Sequence, residues 1–264
     1  LKLKYFIPLE IPFSEVKKIF LYSWSFIFAI SAGYLLNWVD IFVIKAFRGL
    51  EDVGIYQLAY RMVFYLGGFL AAASTVIFPL FVASEASKKT NYMERFVDRV
   101  IPQATFFWAI ALCILILISE YIFKAVFDQK YFLSYKVFNI LLMGVSFQII
   151  IALYTTIFAV LKIIPTRTAI IIGMAVIYIA GDFLLVPKIG IYGAAISMIL
   201  SYSFGAVSNM IVINRIKSIK NSYLVLFALI PFGALIATIF LSKPLQILVV
   251  MILVVLAFLL AKKM

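Results

Sequence analysis

Residues 100–122 read VIPQATFFWAIALCILILISEYI, a run whose single charge is Glu120. Wound as an α-helix at 1.5 Å per residue, it reaches about 35 Å, enough to cross a hydrocarbon layer of roughly 30 Å while pairing its backbone amides internally. Seven more apolar runs lie on either side: about Ile19–Ala46 and Val53–Ala83 before it, and Val137–Leu161, Thr168–Val186, Tyr192–Ile213, Ser222–Leu241 and Leu245–Ala261 after it. The whole chain agrees, with 66% apolar and 13% charged residues over 264 positions and a mean hydropathy of +1.16. Soluble domains run near 45–50% apolar and about 25% charged. A water-soluble globular fold is excluded, and an all-α polytopic bundle of about eight transmembrane helices is expected.

The first two runs are longer than a bilayer requires, so tilt or a kink is expected, and Pro79 is a natural kink or end for the second. The connection from Ser84 to Arg99 carries Lys88, Lys89, Glu94, Arg95, Asp98 and Arg99 and reads as an amphipathic helix on the membrane surface. Other connections are short, which makes neighbouring helices antiparallel.

Lys and Arg number 23 against 11 Asp and Glu, a formal +12. These cations cluster in short loops, where they orient helices and meet anionic headgroups, so no nucleic-acid partner follows. On the side holding both termini lie Lys2, Lys4, Lys17, Lys18, Lys88, Lys89, Arg95, Arg99, Lys162, Arg167, Arg215, Lys217, Lys220, Lys262 and Lys263. The other side has Lys45, Arg48, Arg61, Lys124, Lys130, Lys136, Lys188 and Lys243. That bias places both termini in the cytoplasm. Cys113 is alone and inside an apolar run, so no disulfide framework exists; His is absent, which removes the commonest general base and zinc ligand.

Ionisable groups at membrane depth cost about 2.5–3.5 kcal/mol on insertion scales and should face protein or a hydrated cavity. Asp40, Arg61 and Asp182 qualify. The turn joining the first two helices centres near Leu50, ten residues after Asp40 and eleven before Arg61, so an antiparallel hairpin brings both to nearly one depth as candidate ion-pair partners. They either lock the hairpin or face a hydrated cavity, with Arg61 offering a planar fork of donors to phosphate and Asp40 responding to protons or cations. Asp182, five residues before Pro187, reads as a marker of the outer interface. Asn37, Gln148, Thr155 and Thr156 either line an aqueous path or cross-link helices. Gly67 and Ala71, Gly68 and Ala72, and Ala71 and Thr75 repeat the small-xxx-small spacing of close helix packing. The chain has no DxD, no HExxH, no Gly-rich phosphate loop ending in Lys-Ser or Lys-Thr and no Cys/His cluster. No enzyme activity, metal or cofactor is expected, and transport would draw its energy from elsewhere, such as an ion gradient.

Asn37-Trp38-Val39-Asp40, then Glu51-Asp52-Val53-Gly54-Ile55-Tyr56-Gln57-Leu58-Ala59-Tyr60-Arg61, then Ile77-Phe78-Pro79, resembles a signature of polysaccharide-biosynthesis membrane proteins. These are the oligosaccharide flippases of the multidrug/oligosaccharidyl-lipid/polysaccharide exporter superfamily. The stretch from Asp182 through Pro187, Gly190 and Gly193-Ala194-Ala195 to Ser197 is similar to a second family motif, except that the family usually has Asn at the position of Asp182. Gly54 suits turn geometry there, and Gly193-Ala194-Ala195 suits a helix entering a crowded interface.

The resemblance implies two lobes of six helices, commonly with two further helices at the end, around a cavity that opens alternately to either side. The chain then corresponds to a cytoplasmic linker (1–18), the second six-helix lobe (19–213) and the terminal pair (214–264). The first lobe of the same protein is its missing partner, an expectation that also fits an opening Leu1 rather than Met. The implied activity is movement of polyprenyl-diphosphate-linked oligosaccharide across the cytoplasmic membrane, with that lipid and the membrane lipids as partners. Asp40, Arg61, Asn37 and Gln148 are the candidate substrate-binding or coupling residues. A cation-coupled drug antiporter and a lipid II flippase share the architecture; a non-transporting scaffold and a membrane glycosyltransferase are alternatives from other classes. The glycosyltransferase would need a catalytic acid and a large external loop.

Overall fold

The computed structural model describes residues 13–86, 95–217, 223–241 and 243–262. These form eight long helices, one in each apolar run: α1 (Phe13–Arg48), α2 (Leu50–Ala86), α3 (Ile101–Val126), α4 (Phe132–Val160), α5 (Ile164–Ile189), α6 (Ile191–Lys217), α7 (Tyr223–Phe240) and α8 (Lys243–Lys262). The chain is an all-helical membrane bundle, and among the described residues five stretches are long and apolar enough to cross a bilayer. Helix α1 starts at Phe13, inside the segment read as linker; residues 1–12 lie outside the described residues. Of the amphipathic connection, residues 87–94 also lie outside them. Its described end, Phe96–Val100, is a π-helical turn that buries Phe96 and Val97 and exposes Asp98 and Arg99.

Helix α4 is apolar on every side and sits at the centre, packed on α2, α3, α6 and α7. Its neighbours form two layers around it: α1 packs on α5 and α5 on α6, while α7 packs on α3 and α8 on α7. Trp108 Nε1 donates to the Val145 carbonyl (3.2 Å) between α3 and α4, and Ser134 Oγ donates to the Ile55 carbonyl (2.8 Å) between α4 and α2. Ser201 Oγ donates to the Met174 carbonyl (2.9 Å) between α6 and α5. Each uses the second lone pair of a helical backbone carbonyl, which fastens helices where apolar contact alone gives no direction in lipid.

Pro79 does not end α2, which continues to Ala86. The first turn rests on Gly49, at φ +93°, and the fifth on Gly190, at φ +63°; both are left-handed positions that disfavour a Cβ. Gly54 is therefore not a turn residue. It lies inside α2 with open space where a Cβ would go. Gly193 does what its pattern suggests: a Cβ there would sit 2.6 Å from the Leu185 carbonyl carbon, and Ala194 and Ala195 are fully buried. The α5–α6 contact thus needs backbone on backbone.

Candidate functional site

A cleft of about 340 Å³ lies between α1 and α2. Asn37, Trp38, Gln57, Tyr60, Arg61 and Tyr65 are among its lining residues. A second cleft of about 320 Å³ lies between α1, α4, α5 and α6, lined by Asn37, Gln148, Arg167, Tyr202 and Asn209 with apolar neighbours. Asn37 borders both. Its Nδ2 donates to the Gly33 carbonyl (2.6 Å), and its Oδ1 accepts from the Tyr60 hydroxyl (3.1 Å), which ties α1 to α2. Tyr60 stacks on Tyr56 with centroids 5.9 Å apart, and Tyr34 on Trp38 at the same spacing.

Arg61 is exposed on α2, and its Nε donates to Gln57 Oε1 (3.3 Å) one turn earlier. Among the described residues Arg61 forms no salt bridge. The expected ion pair with Asp40 does not form. Asp40 is fully buried on the opposite flank of α1, where Tyr178 Oη of α5 donates to its Oδ2 (3.3 Å) and the Ile41 amide to its Oδ1 (2.9 Å). Shared depth brought the two residues level, but the rotation of each helix about its axis points them apart. Asp182, expected at the outer interface, is also fully buried, one turn along α5 from Tyr178. Neither of its carboxyl oxygens has a hydrogen-bond partner among the described residues, and the neighbouring Ser197 hydroxyl gives its proton to the Gly193 carbonyl instead (2.9 Å).

Three of the four residues singled out in the sequence, Asn37, Arg61 and Gln148, therefore line the two clefts, and Asp40 sits behind them in the bundle. Gln148 reaches its place because α2 has Gly67 there: a Cβ would meet the Gln148 amide nitrogen at 2.8 Å. Gly68 faces open space, so only part of the small-residue stripe serves packing. Thr155 and Thr156 do not line either cleft; Thr155 Oγ1 donates to its own helix at Ile151 (2.8 Å). Arg167, Tyr202 and Asn209 were missed. Arg167 follows Pro165 at the start of α5 and reads as a loop cation, whereas Tyr202 and Asn209, seven apart, share a face of α6 at helical spacing.

The arrangement offers two guanidinium groups, one on each cleft, with carboxamides and phenols between them. Such donors suit phosphate oxygens and sugar hydroxyls.

The polysaccharide biosynthesis protein family model matches residues 2–85, the part that carries α1, α2 and the first cleft. Two relatives extend that likeness. This is a helical membrane protein that resembles the polysaccharide-biosynthesis flippases. The chain is 22% identical over 211 residues to the probable low-salt glycan biosynthesis flippase Agl15 of Haloferax volcanii, covering 80% of this chain and 45% of that protein. It shares its fold with the lipid II flippase MurJ in an inward closed conformation, at a TM-score of 0.62 and 17% identity, over 84% of this chain and 50% of that one. The chain thus spans about half the length of these flippases.

Proposed function

We propose that the chain is half of a flippase that moves polyprenyl-diphosphate-linked oligosaccharide across the cytoplasmic membrane by alternating access. Its termini lie in the cytoplasm, residues 19–213 form one lobe, and residues 214–264 are the terminal pair. The observation that carries this reading is Asn37, shared by two polar clefts that each hold an arginine, Arg61 and Arg167. A diphosphate and a sugar crossing lipid need a hydrated wall with cationic donors, since an unpaired charge in hydrocarbon is expensive. Around the clefts Trp38, Phe64, Tyr65 and Phe69 are exposed, a face suited to a first lobe closing the cavity. Asp40, buried behind that wall and tied to α5 through Tyr178, is the coupling residue in this reading: a proton or cation there changes the α1–α5 contact that rocking must alter.

Depletion of the full-length protein from cells tests this. Lipid-linked oligosaccharide should accumulate in the cytoplasmic leaflet, and an unchanged leaflet distribution would contradict it.

A further inference from the structure

A cavity of about 430 Å³ lies away from both clefts, where α3, α4, α7 and α8 converge with the start of α6, and shares none of their lining residues. It lies toward the end of the bundle that carries the α1–α2 turn, where the start of α4 is fastened to the start of α2 by the Ser134–Ile55 bond and Lys243 of α8 donates to the Tyr121 hydroxyl of α3 (2.8 Å). Its lining is graded. Towards the helix ends lie Glu120, Lys136, Asn139 and Thr238; one turn deeper on the same helices lie Ile116, Ile140 and Leu235.

The charge balance at the rim is positive. Glu120 is held by Lys124 at 2.5 Å and faces Lys243 at 4.0 Å, so its carboxylate is already matched. Lys136 has no ion-pair partner among the described residues. Asn139, 5% exposed, lines the cavity with its side-chain oxygen lacking any hydrogen-bond partner among them. A cavity with a spare ammonium and an unpartnered carboxamide oxygen, an acceptor for a headgroup hydroxyl, above apolar walls fits an amphiphile with an anionic group at the interface and hydrocarbon below it.

We propose that this cavity holds the headgroup of an anionic membrane phospholipid, with Lys136 on its phosphate, Asn139 on its polar head and the acyl chains descending past Ile116 and Leu235. The occupant would seat the terminal pair against the six-helix lobe. The test is native mass spectrometry of the chain taken from phosphatidylcholine nanodiscs doped with phosphatidylglycerol. The wild type should retain phosphatidylglycerol in preference to phosphatidylcholine. Lys136→Gln should lower that retention about fivefold, the share of one lysine at an anionic headgroup. Lys130→Gln, an exposed lysine of the α3–α4 connection that does not line the cavity, should leave it unchanged. Circular dichroism and the elution volume show that each variant stays folded. Wild-type retention by Lys136→Gln, equal loss with Lys130→Gln, or equal retention of phosphatidylcholine would each overturn the proposal. Displacement of the lipid by excess inorganic phosphate would make it a site for a soluble anion and overturn it as well.

Discussion

Arg61 is exposed and, among the described residues, its side chain is bonded to Gln57 on its own helix, so its chemistry separates from its packing. Arg61→Ala should leave the unfolding free energy of the solubilised chain within about 0.5 kcal/mol of the parent. In the same variant, flipping by the full-length protein should fall about tenfold or more, the loss of one charge-assisted hydrogen bond to phosphate. Arg61→Lys should recover only part of it, because the ammonium lacks the planar fork. A stability loss with intact flipping would reverse the assignment. Tyr178 behaves oppositely. Tyr178→Phe removes the phenol that donates to the buried Asp40 carboxyl and should cost about 1–3 kcal/mol of stability, read from thermal or denaturant unfolding in detergent. Sequence arithmetic found the polar residues of the site but not their partners. Counting 1.5 Å per residue sets depth along a helix and says nothing about which flank a side chain occupies. Asp40 and Arg61 share a level and face different neighbours.

At the scale of elements, all eight helices were legible because twenty-residue apolar runs admit few other structures in lipid. The turns were less so. Gly54 sits in a turn-like motif but is helical, while Gly49, the single residue between α1 and α2, has the left-handed backbone. The two glycine positions predict opposite signs. Gly54→Ala should stabilise by about 0.5–1 kcal/mol, because the site is helical and open. Gly193→Ala should destabilise by about 1–3 kcal/mol, because the added methyl meets the α5 backbone rather than a flexible side chain. Parallel unfolding of the two variants checks both, and matching signs would mean that the α5–α6 contact is looser than described. Arg167 escaped notice for a related reason: a basic residue beside a proline looks like a loop, and only the convergence of α1, α4, α5 and α6 gives it a cleft.

At the scale of the whole molecule, the account stands on two polar clefts meeting at Asn37 and belonging to one water-filled path rather than to lipid-facing surface. Burial alone does not distinguish these, since Arg61 and the lipid-exposed aromatic Phe107 of α3 both lie on the outside of the bundle. Water access does. Cys113 is fully buried, and Cys113→Ser gives a background for single cysteines at Asn37, Arg61, Arg167 and Phe107. The most direct measurement is labelling of these positions in the membrane by an impermeant thiol reagent, with and without lipid-linked oligosaccharide. Asn37→Cys, Arg61→Cys and Arg167→Cys should label at least about tenfold faster than Phe107→Cys, because a thiol reacts as its thiolate and hydrocarbon suppresses that form. All three should be protected by the substrate. Labelling no faster than at Phe107→Cys, or unaffected by substrate, would contradict the proposed path.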